Sequence, residues 1–265
     1  MCNPLVCFGG TLLLFFNTPH GIYMSADSRF TNTPVPQREQ AQKIFRAGQA
    51  GVCAVSGNLV FNGTTTDDLT GKTTKHHLDV TAVVSSAAEG LSNEPAAAQV
   101  HFLADQIYHA LQAYWRIAVE QKRLSAPINP TGEPTESSVC TLLFAKREGV
   151  QVMLYQVQFS FAEYRHVRGY WVNHLRRPDI IRLDPNLELR AAAQGKTRCA
   201  PSVNQPYPVR SRTALVQAIN ATYAEATSAS SECSEAVGGP VDIAVVDERG
   251  FHWLQKKGGA AFQAR

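Results

Sequence analysis

The chain has 265 residues, of which 44% are hydrophobic and 18% are charged, a composition that can bury a core and that argues against a disordered chain. No apolar run approaches the roughly 18 residues that a membrane-spanning helix needs, and nothing before Arg29 is basic, so no signal peptide is predicted. A net charge of +3 with dispersed basic residues does not indicate nucleic-acid binding. We therefore expect a cytoplasmic protein without a membrane or nucleic-acid partner.

The first third of the chain alternates short apolar runs with turns. Four strands are predicted, over residues 11–16, 21–26, 42–46 and 52–56. The turn at residues 18–21 makes a hairpin of the first two. Residues 61–79 are polar and rich in Thr and Gly, a composition that predicts an exposed loop.

The remaining elements are predicted from helical and strand periodicity. Apolar residues at helical spacing predict helices over 80–91, 95–122 and 212–226. Strands are predicted over 139–145, 150–159, 161–167, 241–246 and 251–254. Residues 124–137 contain three Pro and predict a loop. Short turns between strands imply antiparallel pairing, and helices grouped between strand sets imply helical layers packed on sheets.

The six cysteines form no Cys-x-x-Cys pair. A chain of this length does not need disulfides to stabilise a small core. We therefore expect buried free thiols and no disulfide framework.

Four residues in the first third form the pattern on which the prediction of function depends. A Gly10–Thr11 junction begins the first strand, and Asp27, Lys43 and Gly57 follow Thr11 by 16, 32 and 46 residues. Each residue alone has an ordinary structural interpretation, as a strand, turn or edge residue. The combination, with Gly directly before Thr, favours the interpretation that these residues form a functional site.

This pattern resembles the bacterial type of the proteasome β-subunit branch of the N-terminal nucleophile hydrolases, over residues 10–58. That family has a catalytic Thr exposed by cleavage after Gly, followed by Asp, Lys and Gly at these spacings. Residues 238–246 resemble, more weakly, the family's closing hairpin. The resemblance implies an α+β fold, the four-layer αββα sandwich with two antiparallel sheets, with residues 1–10 as a leader and 11–265 as one domain.

The resemblance also implies how these residues act. A Thr hydroxyl is a poor nucleophile until a base takes its proton. Cleavage at Gly10–Thr11 would free an α-amine, whose pKa of roughly 7.7–8.0 suits a base near neutral pH. The charge of Lys43 would favour the developing alkoxide, Asp27 would hold Lys43 charged and oriented, and the Gly57 N–H would be the oxyanion donor.

Further residues match family positions around this centre. Thr31 matches a position that hydrogen-bonds the substrate backbone, and Arg29 matches one that supports the Asp–Lys pair. Val55 and Leu59 flank Gly57 and are candidates to line a specificity pocket.

The function implied is that of a threonine endopeptidase activated by self-cleavage, which leaves a 255-residue chain. The implied assembly is a stacked-ring homo-oligomer that acts on peptides or unfolded protein, with no cofactor and no metal. An ATP-dependent unfoldase is a compatible partner.

The chain also departs from the family pattern. The family's Ser-Gly loop, and the Asp and Ser after it, have no clear counterpart near residues 167–171, and Asp179 and Asp184 are the candidates for the missing Asp. Two alternatives therefore stay open. One is an N-terminal nucleophile amidohydrolase for a small amide, for which Cys2, exposed by loss of Met1, is one candidate nucleophile. The other is a catalytically silent proteasome-like scaffold.

Overall fold

The structure, a computed structural model, describes residues 11–29, 42–67, 69–120, 137–167, 170–184, 194–195, 199–200 and 211–256. The strands are β1 (Leu12–Thr18), β2 (Gly21–Asp27), β3 (Ile44–Ala47), β4 (Gly51–Gly57), β5 (Val60–Thr66), β6 (Thr73–Asp79), β7 (Ser137–Glu148), β8 (Gln151–Val167), β9 (Tyr170–Leu175), β10 (Asp179–Leu183), β11 (Gln194–Gly195), β12 (Val241–Asp247) and β13 (Gly250–Gln255). The helices are α1 (Val80–Glu89), α2 (Ala96–Glu120), α3 (Arg212–Ser228) and α4 (Ser231–Ala236).

The described strands form antiparallel sheets, which confirms the expected α+β class. One sheet has the order β11-β1-β2-β12-β13, and a second has the order β10-β8-β7-β4-β3 with β9 paired to β8. In the first sheet Leu13 lies opposite Ala26, and Ala26 lies opposite Asp242. This register brings the start of β1, the end of β2 and the start of β12 together at one end of the sheet.

Three buried clusters show what packs against these sheets. The first lies between the second sheet and the helices α1 and α2, and the second lies between the first sheet and the helices α3 and α4. The third joins the inner faces of the two sheets. In β1, Leu12 and Leu14 belong to the second cluster, whereas Leu13 and Phe15 belong to the third. Burial on both faces explains why β1 is a continuous apolar run.

Residues 61–79 are not the predicted loop, and that prediction is wrong. They form most of the β5–β6 hairpin, with Phe61 opposite Leu78. The base of the hairpin packs on α2, where the Phe61 and Tyr114 rings lie 5.6 Å apart. At the tip, the Asp67 carboxylate accepts from the Leu69 and Thr70 N–H groups. Threonine, polar but β-branched, favours strands as well as exposed positions, and here the strand preference prevails.

Other boundaries also differ from the prediction. The strands expected at 150–159 and 161–167 are one strand, β8, and α4 was not predicted. Residues 124–136 lie outside the described residues. The helix α1 begins as expected for a capped helix, since Asp79 accepts from the Thr81 N–H at 2.9 Å. Among the described residues, no helix combines the length and the apolar character that crossing a membrane would require.

Two cysteines form a disulfide, which corrects the expectation of free thiols throughout. The sulfurs of Cys199 and Cys233 are bonded, and both residues are buried in the cluster beneath α3 and α4. Cys53 and Cys140 are buried free thiols, as expected, and burial raises the pKa of Cys53 to about 12. The bonded residues are 34 positions apart, so no local spacing in the sequence predicts that they pair.

Removing this disulfide should destabilise the fold. A cross-link that closes a loop of this length contributes about 2–4 kcal/mol, chiefly by restricting the unfolded chain. We expect the Cys199→Ser/Cys233→Ser variant to lose that amount in urea unfolding. A reductant should shift wild type toward the variant and leave the variant unchanged. If unfolded, unreduced wild type exposes Cys199 and Cys233 as titratable thiols, the disulfide assignment is wrong.

Candidate active site

Thr11 lies immediately before β1 and is almost fully buried, with 1% of its surface exposed. The apolar run that follows it enters the core on both faces of the sheet, and this fixes the position of the strand. The Lys43 Nζ donates a hydrogen bond to the Thr11 Oγ1 over 2.7 Å. The structure therefore brings a hydroxyl and an ammonium together away from bulk solvent.

Three oxygen atoms of the described residues accept hydrogen bonds from the Lys43 Nζ. Besides the Thr11 Oγ1, they are the Asp27 Oδ2 at 3.3 Å and the Arg29 carbonyl oxygen at 2.6 Å. An ammonium group has three N–H donors, so this arrangement satisfies the charged form completely. Lys43 comes directly before β3, and the Val55 N–H donates to its carbonyl oxygen, which ties it to β4.

Asp27 ends β2 beside the start of β1. Its Oδ1 accepts from the Leu12 N–H at 2.9 Å, and its Oδ2 accepts from the N–H groups of Arg29 at 3.2 Å and Gly238 at 3.4 Å. With Lys43 as the fourth donor, the carboxylate connects the start of β1, the end of β2 and the segment before β12. A buried carboxylate bonded in this way keeps one orientation.

Arg29 supports this arrangement mainly through its backbone. Its carbonyl oxygen accepts from Lys43, and its N–H is shared between Asp27 and the Gly238 carbonyl oxygen, 3.1 Å away. Its guanidinium donates to the Ser234 carbonyl oxygen at the end of α4. A Cβ on Gly238 would lie 2.6 Å from the Arg29 Cζ, so a side chain there would displace the guanidinium.

Burial is the main influence on the ionisation of the Asp27–Lys43 pair. It lowers the pKa of Lys43 below its ordinary value, while the charges of Asp27 and Asp242 act in the opposite direction. Burial likewise raises the pKa of Asp27, against the charge of Lys43 and the three backbone N–H donors. The pKa of Lys43 thus lies below that of an exposed lysine, while the three oxygen acceptors around its Nζ favour the charged form.

Gly57 ends β4 two residues beyond the contact between Val55 and Lys43. Its φ of 102° lies in a region that favours glycine, and a Cβ would meet the Cys140 Cα and the Val139 carbonyl oxygen at 2.8 Å. Glycine is thus required here for both conformation and space. Gly57 lies two residues beyond Val55, whose N–H contacts the Lys43 backbone, and its role as the oxyanion donor stays a prediction.

Val55 and Leu59 are not brought together with Thr11 through their side chains. Both are buried in the cluster beneath α1 and α2, with 0% and 2% of their surface exposed. A pocket-lining role for these two residues stays a prediction. Gly10, Thr31 and Cys2 lie outside the described residues.

Neither candidate for the missing family Asp approaches Thr11. Asp179 is half-exposed on β10 and pairs with Arg176 at 3.9 Å. Asp184 lines a cavity of about 810 Å³ with Thr18 and Gly21. That cavity lies at the far end of β1, and a strand of seven residues spans roughly 20 Å.

Three further residues around this centre were not predicted from the sequence. Tyr223 on α3 donates to the Leu12 carbonyl oxygen over 2.7 Å, and its hydroxyl lies 3.3 Å from the Ser25 Oγ. Asp242 on β12 is buried beside Ala26 and contributes negative charge near Lys43. Asp242 directly follows the Gly-Gly-Pro-Val segment, and the resemblance of that segment to the family's closing hairpin was the sequence feature that could have indicated it. In the described part of the chain, no cluster of His, Cys, Asp and Glu has the arrangement of a metal site.

No protein-family model matches the sequence, and no curated protein matches it either.

Proposed function

We propose that this protein is a threonine-type amide hydrolase of the proteasome β-subunit kind. The observation that carries the proposal is the buried contact of the Lys43 Nζ with the Thr11 Oγ1 at 2.7 Å and with the Asp27 Oδ2 at 3.3 Å. A charged lysine held against a threonine hydroxyl lowers the free energy of the alkoxide that forms during attack.

The first proposed step is self-cleavage of the Gly10–Thr11 bond. The Thr11 Oγ1 attacks the Gly10 carbonyl carbon, the C–N bond breaks, and the nitrogen takes up the hydroxyl proton as it becomes the α-amine. Gly10 is then held as an ester on the Thr11 Oγ1. Water hydrolyses this ester, which gives a free Gly10 carboxylate and a free threonine hydroxyl.

The second proposed step is hydrolysis of a peptide bond in a substrate. The α-amine of Thr11 takes the proton from Oγ1 as this oxygen attacks the carbonyl carbon, and it returns the proton to the leaving amine. Lys43 and the Gly57 N–H stabilise the negative charge that develops, and Asp27 keeps Lys43 in place. Water then hydrolyses the acyl-enzyme and regenerates the hydroxyl.

The proposal extends to architecture and assembly. The three buried clusters support a four-layer αββα sandwich, since helices pack on the outer face of each sheet and the inner faces pack together. We propose a homo-oligomeric ring that admits peptides or unfolded protein, with an ATP-dependent unfoldase as a compatible partner. A monomer by size-exclusion mass measurement would overturn the ring.

Intact-mass measurement of the purified protein tests the proposed nucleophile. We expect wild type to lose residues 1–10 and to hydrolyse a fluorogenic peptide. Thr11→Ala should keep the full 265 residues and show no hydrolysis, because it lacks the attacking oxygen. Thr11→Ser, which keeps a hydroxyl, is the matched control and should still be processed.

The same measurement separates the alternatives. Loss of Met1 alone from wild type, with amidase activity that Cys2→Ala abolishes, would favour the Cys2 enzyme over Thr11. Loss of residues 1–10 from Thr11→Ala would show that another protease makes the cut, and would contradict self-cleavage.

A further inference from the structure

Leu12, the residue after the proposed nucleophile, has both of its backbone polar groups held by side chains. Its N–H donates to the Asp27 Oδ1 at 2.9 Å, and its carbonyl oxygen accepts from the Tyr223 hydroxyl at 2.7 Å. The β1–β2 register begins one residue later, with Leu13 opposite Ala26. The backbone next to Thr11 is therefore fixed by two side chains from different elements.

Tyr223 is itself held firmly. It lies on α3, with 3% of its surface exposed, in the buried cluster that includes Leu12, Tyr23 and Ile219. The Ser25 Oγ, on the neighbouring strand β2, lies 3.3 Å from the tyrosine hydroxyl. A tyrosine fixed by packing, with its hydroxyl bonded at the end of the ring, holds its partner in one position.

From this geometry we propose that Tyr223 is a positioning residue for Thr11. The proposal rests on the threonine-hydrolase function proposed above. Tyr223 touches neither the reacting atoms nor the substrate in this scheme. Its hydroxyl fixes the Leu12 carbonyl, and this holds the Thr11–Leu12 peptide so that the Thr11 Oγ1 stays within reach of Lys43.

Two roles for Tyr223 give different kinetic results. If only its ring matters, as packing for α3 against the sheet, then loss of the hydroxyl lowers stability and leaves the folded enzyme equally active. If the hydroxyl positions Thr11, its loss lowers kcat in the folded enzyme, since small displacements of a nucleophile slow the chemical step. KM should change little, because no substrate contact is removed.

The test compares Tyr223→Phe with Tyr108→Phe. Tyr108 is a matched control because it is also buried and its hydroxyl accepts from the Gln112 Nε2 at 3.3 Å, but it belongs to α2 on the other side of the fold. kcat and KM for a fluorogenic peptide are measured per folded molecule, well below the unfolding temperature. The rate at which residues 1–10 are lost is measured by intact mass.

We expect Tyr223→Phe to lower kcat about 5- to 20-fold, with KM within about twofold of wild type, and to slow the loss of residues 1–10. Tyr108→Phe should stay within about twofold of wild type in both measurements. A kcat of folded Tyr223→Phe equal to that of Tyr108→Phe overturns the positioning role. Hydrolysis and processing absent from wild type would instead overturn the proposed function itself.

A second variant keeps the proposal testable if Tyr223→Phe does not fold. Ser25→Ala leaves the ring and the Leu12 contact in place and removes only the second partner of the hydroxyl. We expect kcat about two- to threefold lower with unchanged KM. An unchanged kcat in folded Ser25→Ala would then count against the proposal.

Discussion

Replacing Lys43 by methionine should abolish peptide hydrolysis, with a loss of about 1,000-fold or more in kcat/KM. Methionine has a similar length but provides neither the charge nor the donor that lies 2.7 Å from the Thr11 Oγ1. The same variant should keep residues 1–10, since self-cleavage needs the same activated hydroxyl. The fluorogenic assay and the intact mass give independent readings of this effect.

Stability must be measured separately, because Lys43→Met leaves the buried Asp27 carboxylate without its cation. Breaking a buried ion pair costs about 3–5 kcal/mol. The Asp27→Asn/Lys43→Met variant removes both charges and should recover part of that stability without recovering activity. Recovery of activity in the double variant would contradict the proposed role of Lys43.

Lys146 provides a matched control. It is also buried, with 8% of its surface exposed, and its ammonium donates to the Glu94 carbonyl oxygen. It lies near the far end of β7 and pairs with Gly51 at the start of β4, away from Thr11. Lys146→Met should lower stability while kcat/KM per folded molecule stays within about threefold of wild type. An equal loss of kcat/KM per folded molecule in both lysine variants would contradict a specific role of Lys43 in catalysis.

Gly57→Ala should impair both folding and catalysis. The φ of 102° costs about 1–3 kcal/mol for a residue with a Cβ, and a contact of 2.8 Å with the backbone atoms of Val139 and Cys140 adds a similar cost of overpacking. Relief of that contact would move the Gly57 N–H. We expect urea unfolding to show a loss of about 3 kcal/mol or more, and the folded fraction to lose about 100-fold in kcat.

Gly149→Ala is the control that separates the cost of backbone strain from the effect of a glycine's place in the active site. Gly149 has a φ of 61° in the turn between β7 and β8, and a Cβ there would meet nothing within 4 Å. We expect a stability loss of about 1 kcal/mol and unchanged activity. If Gly57→Ala behaves like Gly149→Ala in both measurements, the oxyanion role of Gly57 is contradicted.

The proximity of Asp27 to Thr11 could be predicted from local sequence alone. The turn at residues 18–21 sets the hairpin register that places Ala26 opposite Leu13, and Asp27 is then beside the start of β1. Lys43 is different, because it reaches Thr11 only after the two sheets pack face to face. The contact between Lys43 and Thr11 was expected only because their spacing resembles that of a known family. No local sequence pattern predicts it.

Contacts between distant segments could not be predicted in this way. Tyr223 meets Leu12 across 211 residues, and nothing in the helix pattern of α3 distinguishes its hydroxyl from that of any other core tyrosine. The partners Cys199 and Cys233 likewise depend on how α4 packs. The Thr-rich hairpin was not predicted, because the polarity of threonine favours an exposed loop whereas its β-branched side chain favours a strand.

The β5–β6 hairpin leaves its tip in solvent, where the Leu69 side chain is 98% exposed and local hydrogen bonds close the turn between Asp67 and Lys72. Among the side chains that the structure describes, those of the hairpin that pack on α2 lie at its base, around Phe61. Surface turns of this kind accept inserted peptides with little loss of stability. The tip, between Leu69 and Gly71, is therefore a natural place for an epitope or a fluorophore, which would leave both chain ends, and the Gly10–Thr11 junction in particular, free of any tag.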